Sequence, residues 1–333
     1  MYRHKTILIT GGTGFLGLAL AKAILKQNPQ SIRLFSRDEV KHYRAQEYFN
    51  RNRKIRNFIG DVRDYPRLVK ATRNVDYVIH AAALKRLDIL EYNVDESIKT
   101  NIMGTLNLVN ACLKNKVKKV VFISTDKACS PVNTYGACKF VSERIITESN
   151  YSKGDLNTIF TTVRYGNVLE STGSVIPFFR SVIKQGKTIP LTDPEMTRFI
   201  ITSRQAVELI SYALHYGKGG EIFIPQLPSF KILDLIEVLL KYFGTKNKIK
   251  IIGIRPGEKF HELMINIAEM ARTIKFRNFY VINPCIGYSS DKVPLLPRKR
   301  TRVNQPSMRV YSSKDYIISK VALKKILQKN KII

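Results

Sequence analysis

Short runs of β-branched and aliphatic residues alternate with amphipathic stretches through the first half of the chain. KTILIT (5–10), IRLFS (32–36), KIRNFIG (54–60), VDYVIHA (75–81), VKKVVFIS (117–124) and NTIFTTVRYG (157–166) read as strands. Apolar positions recur at helical spacing between most of them, as in FLGLALAKAIL (15–25) and NIMGTLNLVNACLKN (101–115). Strands that are apolar almost throughout have no face to give to water. Their alternation with helices predicts an α/β fold, a doubly wound parallel sheet covered on both sides. Past about residue 165 the rhythm changes, and GNVLESTGSVIP (166–177) is rich in loop formers. A helix is expected at 203–216, a strand at 220–225, a helix at 231–242, a strand at 249–254 and a helix after RPGEK (255–259). This pattern predicts a smaller, discontinuous C-terminal domain closing on the carboxyl edge of the sheet. The expected division is 1–165 plus about 195–225, against about 166–194 plus 226–333.

Composition narrows the class. The chain has 333 residues, 44% of them hydrophobic, which is enough for a sizeable core. No apolar run approaches the ~20 residues of a membrane helix. The opening Met-Tyr-Arg-His-Lys leads directly into a strand with no apolar signal segment, so a cytoplasmic protein without membrane attachment is expected. Cys112, Cys129, Cys138 and Cys285 form no C-x-x-C pair and match no zinc spacing, which reads as free thiols and no metal.

Charge adds a second possibility. Lys and Arg number 56 against 26 Asp and Glu, a formal net charge of +30. Such a chain favours anionic partners: nucleic acid, an anionic membrane or phosphorylated small molecules. RKRTR (298–302) and KVALKKILQKNK (320–331) are the densest clusters. Charge alone names no site, and a solvated surface accounts for it too, so polyanion binding stays the secondary reading.

TGGTGFLG (10–17) follows the first strand and opens the first helix. Gly12, Gly14 and Gly17 satisfy G-x-G-x-x-G, and Gly11, Gly14 and Gly17 satisfy G-x-x-G-x-x-G, with Thr13, Phe15 and Leu16 between them. In that strand–turn–helix context the pattern is the Rossmann-type dinucleotide fingerprint: glycines admit a pyrophosphate, and the helix N-terminus offers N–H groups. The second strand ends in Ser36-Arg37 where an NAD site would place an acid. Arg37, with Lys41 in reach, suits a 2′-phosphate, so NADP is expected over NAD, with Asp38 the competing ribose ligand. Asp61-Val62 at the third strand's tip is placed to meet the adenine, although Asp61 could equally cap the next helix.

Tyr135 and Lys139 are four apart, so on a helix they share a face. A nearby ammonium lowers a phenol's pKa and lets it act as a base. The preceding strand ends Ser124-Thr125-Asp126-Lys127. Hydride transfer at a sugar carbon accounts for Tyr135 but does not need Asp126 or Lys127. An acid and an amine there suit removal of a C–H proton beside a ketone and expulsion of a hydroxyl, with Lys127 depressed in pKa and Asp126 held protonated. A surface Asp–Lys pair fits the spacing equally well.

HAAALK (80–85), KTNIMGT (99–105), STDKA (124–128), YGACK (135–139), RYGNV (164–168), TDPEMTRF (192–199), GGEIFIP (219–225) and IIGIRPGEKFHELMI (251–265) together resemble one group of the extended short-chain dehydrogenase/reductases. It is the soluble UDP-N-acetylglucosamine 4,6-dehydratases that invert C5, of pseudaminic-acid-type polysaccharide biosynthesis. The resemblance runs to about residue 270. Related membrane-fused dehydratases carry Met at the position of Tyr135, so this chain is most similar to the pseudaminic-type branch.

The resemblance implies the following roles. Tyr135 takes the 4-hydroxyl proton as hydride leaves C4, Lys127 removes the C5 proton, Asp126 assists loss of water, and hydride returns to C6. Tightly bound NADP is regenerated each turnover. Ser124 or Thr125 binds the 4-oxygen, and Lys139 the nicotinamide ribose. Ala81, Ala82, Lys85 and Asn101 border the cofactor. Lys85 also borders the sugar of UDP-GlcNAc, and Asn167, Arg198, Arg255 and Glu258 hold its UDP. A homo-oligomer, dimer or larger ring, is implied as well. Two departures stand out: Glu170-Ser171-Thr172-Gly173-Ser174 replaces the usual G-S-R-G-S, and Arg86 replaces a usual His. The rivals are a nucleotide-sugar epimerase, a retaining 4,6-dehydratase, and a polyanion-binding protein on a Rossmann scaffold.

Overall fold

The computed structural model describes residues 1–169, 171, 173–286 and 306–333. Six strands alternate with helices in its first half: β1 (Thr6–Thr10), β2 (Ser31–Ser36), β3 (Ile55–Ile59), β4 (Tyr77–His80), β5 (Lys119–Thr125) and β6 (Ile159–Tyr165). They pair in parallel in the order β3-β2-β1-β4-β5-β6. The winding reverses between β1 and β4, and such a reversal opens a crevice at the carboxyl ends of the strands. In the central strands residues alternate between two buried layers, which is why β1 and β5 are buried almost throughout, while the edge strand β3 is only partly buried. Ile7 and Ile9 pack on one face with Leu20, Ile24 and Leu209, and Leu8 packs on the other with Leu68, Val78 and Leu108.

The chain then leaves the sheet and returns to it. β7 (Asn167–Val168), β8 (Ile189–Leu191) and β9 (Thr197–Ile201) lie outside, and β10 (Ile222–Pro225) comes back to pair in parallel with β6. β11 (Ser229–Lys231), β12 (Ile249–Ile251) and β13 (Leu263–Ile265) lie outside again. β14 (Thr273–Phe276) and β15 (Phe279–Ile282) form a hairpin that completes a nine-stranded sheet beside β10. β16 (Tyr311–Ser312) pairs with β13.

Three local expectations change. Residues 273–282, grouped by sequence with the smaller domain, belong to the large sheet, where Phe276 and Phe279 pack with Tyr212 and Tyr216 of the helix Ser203–Tyr216. β9, grouped with the larger one, pairs instead with β7 and β11. No helix follows RPGEK: the chain enters β13, and only Ile267–Met270 is helical. Tertiary pairing overrides the local pattern there, because Leu263 and Ile265 register with Ser312 and Tyr311 from far along the chain.

A third core, around Ile176, Phe179, Ile189, Leu235 and Leu239, fills the smaller region. Leu323 and Leu327 of the last helix, Lys320–Lys329, join it. The basic C-terminal run is therefore the wet face of a packed amphipathic helix. RKRTR lies outside the described residues. No helix among the described residues is long and apolar enough to cross a membrane, and they contain no cluster of potential metal ligands.

Candidate active site

A cleft of about 1940 Å³ runs along the carboxyl ends of β1 to β6 and under the smaller region. Pockets for one small ligand span roughly 300–1,000 Å³, so this one has room for two. It is lined by the predicted Gly11, Thr13, Gly14, Phe15, Leu16, Gly17, Ser36, Arg37, Lys41, Asp61, Val62, Ala81, Ala82, Lys85, Thr125, Lys127, Tyr135, Lys139, Asn167, Arg198, Arg255 and Glu258.

At one end the lining is backbone. Gly11 has φ +66°, and a Cβ there would lie 2.9 Å from the Ala81 carbonyl oxygen. A Cβ on Gly17 would lie 2.5 Å from the Gly12 oxygen. Gly14 caps the helix Phe15–Leu25 with no side-chain acceptor, so the first-turn N–H groups stay open to the cleft. This cradle fits a dinucleotide pyrophosphate. Behind it, fully buried His80 approaches the Thr10 hydroxyl with Nδ1 (2.6 Å) and the Thr105 hydroxyl with Nε2 (3.1 Å). Thr10 Oγ1 also accepts from the Ala82 amide, so His80 braces the loop that faces the glycines.

The neighbouring acids are already engaged. Asp38 caps the helix Glu39–Tyr48 by accepting from the Lys41 amide. Asp61 does not cap the following helix, a role that Asp64 fills. Asp61 accepts two bonds from the Arg63 guanidinium and lies 3.6 Å from Arg37. Burial works to raise its pKa, but Arg63 and then Arg37 outweigh it, and the net shift is downward. Asn101 does not line the cleft. It is buried, and its amide bonds both the N–H and the carbonyl of Leu84, so it fixes the loop that carries Lys85.

The other end is charge. β5 runs into a single tight turn, Asp126–Ala128, and the helix Thr134–Ser152 brings Tyr135 alongside it, capped by Asn133. Asp126 is fully buried beneath the lining. Its Oδ1 accepts from Thr125 Oγ1 (3.0 Å) and Lys127 Nζ (3.1 Å), while Oδ2 is buried without a hydrogen-bond partner. Burial and then the charge of Glu262 raise its pKa. Lys127 Nζ also donates to Glu262 Oε1 (3.3 Å) and to Asn167 Oδ1 (3.5 Å). The depressed Lys127 expected from sequence is not what the structure gives. Burial disfavours its ammonium, but the Asp126 and Glu262 carboxylates outweigh burial and raise the pKa.

Tyr135 and Lys139 also differ from expectation. Burial pushes the Tyr135 phenol up to about 12, against the pull of Lys127 and a hydrogen bond with Thr125. Lys139 is no part of that balance. Its ammonium donates to the Ile123 carbonyl (2.7 Å) and lies 4.3 Å from the Phe122 ring centroid, and burial drops its pKa to about 7. Of the two candidates for the 4-oxygen, both of which line the cleft, Ser124 donates to Glu143 (2.6 Å) and Thr125 to Asp126 (3.0 Å). Below this floor, fully buried Arg164 ion-pairs with Glu143 and Glu269.

The outer wall is less uniform than the sequence suggested. Arg198 is mostly buried, donating to the carbonyls of Thr197 and Lys259, with Nε 3.5 Å from Glu262. Arg255 is exposed on the rim, and Glu258 has a buried Oε2 without a hydrogen-bond partner. Lys85 is lowered in pKa by burial, then by Arg86 and Lys127. Arg86 crosses to the opposite loop, where a Cβ on Gly173 would lie 2.3 Å from its Nη1. Glu170 and Thr172 lie outside the described residues. Sequence reasoning assigned nothing to Glu262 or Lys259. Both sit in the quoted RPGEKFHELM stretch, but only the fold carries them 130 residues or more back to the turn after β5.

Comparison with known proteins follows the same lines. The family described as polysaccharide biosynthesis protein matches residues 7–284. A UDP-N-acetylglucosamine 4,6-dehydratase (inverting) of Campylobacter jejuni is 48% identical over 288 residues, covering 86% of this chain and 85% of the relative. A UDP-glucose 4-epimerase of Rickettsia massiliae is 41% identical over 286 residues, covering 85% and 84%. The X-ray structure of Pen from Bacillus thuringiensis matches with a TM-score of 0.92 and 38% identity, covering 100% of both chains.

Proposed function

The chain belongs to the polysaccharide biosynthesis protein family, and we propose that within it this protein is a UDP-N-acetylglucosamine 4,6-dehydratase inverting C5. The observation that carries this reading is the contact of Asp126 with Lys127 (3.1 Å) on the floor of a cleft that Tyr135 also lines. The 48% identity to the inverting dehydratase supports it.

A nicotinamide dinucleotide, when bound in the glycine cradle, supplies the acceptor for hydride from C4 and the donor of hydride to C6, with no net redox change. Tyr135 accepts the 4-hydroxyl proton while Thr125 bonds the 4-oxygen. The ketone acidifies C5–H, and Lys127 as free amine takes that proton. Asp126 as carboxylic acid protonates the departing 6-hydroxyl, which leaves as water. C5 is then reprotonated from the opposite face by a proton drawn from solvent, and Tyr135 releases the 4-hydroxyl proton to solvent, which closes the count. Arg37 and Lys41 at the tip of β2 favour NADP over NAD. Arg255, Asn167 and Arg198 hold the UDP, and the protein works as a homo-oligomer in the cytoplasm.

The 41% identity to a named UDP-glucose 4-epimerase gives a second reading. Epimerisation at C4 needs Tyr135 and the cofactor but no acid–amine pair, so Asp126 and Lys127 weigh against it. An NMR time course with UDP-GlcNAc in D₂O separates the readings. Water loss, a C6 methyl, deuterium at C5 and L-arabino configuration are expected. D-xylo configuration would remove the inverting role of Lys127, a 4-epimer without water loss would establish the epimerase, and no turnover with salt-dependent nucleic-acid binding would favour the polyanion reading.

A further inference from the structure

Glu262 reaches the catalytic floor from 135 residues beyond Lys127 and is 1% exposed. Its backbone is pinned twice to Ser313: the Glu262 amide donates to Ser313 Oγ (2.9 Å), and the Ser313 amide donates to the Glu262 carbonyl (2.9 Å). Ser313 Oγ is in turn 2.7 Å from Thr197 Oγ1. The backbone that carries the carboxylate is thus held by the turn Ser313–Asp315, which is itself tied to β9 through Thr197. Its Oε1 meets Lys127 Nζ (3.3 Å) and Arg198 Nε (3.5 Å), while Oε2 is buried with no hydrogen-bond partner. A carboxylate buried only to complete an ion pair would be expected to satisfy both oxygens, because each unpaired one carries a desolvation cost. Asp126 has the same arrangement, one oxygen on Lys127 and one without a partner. Two half-satisfied carboxylates therefore flank one ammonium.

We infer that Glu262 is a positioning residue that sets how the proton exchanged between Lys127 and Asp126 is distributed. The inference rests on the dehydratase reading. In that cycle the C5 proton moves to the Lys127 amine, and the Asp126 proton leaves with the 6-hydroxyl as water. Lys127 is then an ammonium and Asp126 a carboxylate 3.1 Å away, and transfer between them restores the starting forms. No oxidant or further reactant is needed. The Glu262 charge favours the ammonium side and so holds down the fraction of free amine. The other groups around Lys127 are Lys85 from the loop after β4, Asp126 from the end of β5, Tyr135 from its helix, Arg198 from β9 and Lys259 from the loop before β13. The pKa directions agree with this geometry: Lys127 is raised and Glu262 lowered, each against the effect of its own burial.

The test compares the full-length enzyme with Glu262→Gln and Glu262→Asp, reading kcat against pH and, without turnover, the titration of Lys127 by NMR of ε-¹³C-lysine. The Lys127 signal is assigned by its loss in Lys127→Arg. Removing one carboxylate near an ammonium lowers its pKa by about 1 unit or more. Glu262→Gln is expected to shift both the alkaline limb of kcat and the Lys127 titration down by that amount. Glu262→Asp keeps the charge and should hold both near wild type at reduced kcat. A Gln variant whose kcat falls equally at every pH, with both positions unmoved, overturns the inference. If Glu262→Gln does not fold, Ser313→Ala, which frees the Glu262 amide, takes its place. A smaller downward shift then supports the role and an unmoved titration overturns it. A wild type that dehydrates no UDP-GlcNAc, with the Lys127 titration still shifting in Glu262→Gln, rejects the dehydratase reading and retains the carboxylate–ammonium coupling.

Discussion

At the phosphate end of the cleft the chain presents backbone. Gly11, Gly14 and Gly17 and the open N–H groups of the first helical turn all come from one stretch, 10–17. At the sugar end it presents charge, with Asp126, Lys127, Arg198 and Glu262 drawn from separate segments and mostly buried. The first is a shape that local turn geometry makes by itself. The second is an electrostatic balance that exists only when β5, β9 and the segment before β13 have come together. Damage at the two ends should therefore look different: lost affinity with chemistry kept at one, lost chemistry with large stability effects at the other.

Lys127→Met is the strongest test of that contrast. It should lower kcat by about 10²–10⁴-fold. It also leaves Asp126 and Glu262 facing each other without their shared cation, which should cost about 3–5 kcal/mol in urea unfolding. Unchanged stability would mean the sugar end is not an interdependent charge cluster. Gly17→Ala probes the other end. Its methyl would meet the Gly12 carbonyl at 2.5 Å, so a loss of about 1–3 kcal/mol, in stability and in dinucleotide affinity together, should appear in calorimetry. Full affinity in that variant would show that the cradle is looser than the geometry implies.

His80 gives the phosphate end its own pH signature. Burial, then Lys139, depress its pKa from 6.5 to about 3. The unfolded chain therefore binds a proton that the folded one refuses between those values. The stability this neutral imidazole contributes is complete above about 6.5 and is lost as pH falls toward about 3. Linkage makes the loss about 2 kcal/mol by pH 5. His80→Gln should lose that much less between pH 7.5 and 5 in thermal or urea melts, and a parallel loss in both proteins would remove His80 as the cause. The mildest change is Arg37→Ala. It should weaken NADP by about tenfold and leave NAD unaltered, and equal weakening of both would reduce Arg37 to a partner of Asp61.

What could be read from the sequence follows the same division. The phosphate loop, the alternation of β1 to β6 and the Tyr135 helix rest on contacts between near neighbours, and periodicity and glycine spacing record those directly. The direction of the Lys127 shift did not follow, because burial is outweighed by Asp126 and then by Glu262, and the neighbours of Glu262 in sequence carry no mark of that meeting. β13 was misread as helix because its pairing partner is Tyr311–Ser312. The hairpin β14–β15 was assigned to the wrong side of the cleft because its destination is β10, across an entire lobe. Arg198 lines the cleft as the sequence suggested, but its bonds to the carbonyls of Thr197 and Lys259 and its approach to Glu262 are visible only in three dimensions.

The return of the chain to the large sheet also bears on how the protein is made. β6 is flanked on one side by β5, and its other edge is covered only by β10, with Ile222 and Phe223 registering against Thr162 and Val163. A nascent chain that has left the ribosome as far as Tyr216 therefore carries six of the nine strands, with the β6 edge that β10 later covers still bare. Exposed edges of this kind template aggregation, and non-local parallel pairing closes slowly. The lobe between Asn167 and Tyr216 must be translated before that edge can be sealed. Synthesis rate and chaperone access across this interval thus become determinants of yield that the finished molecule no longer displays.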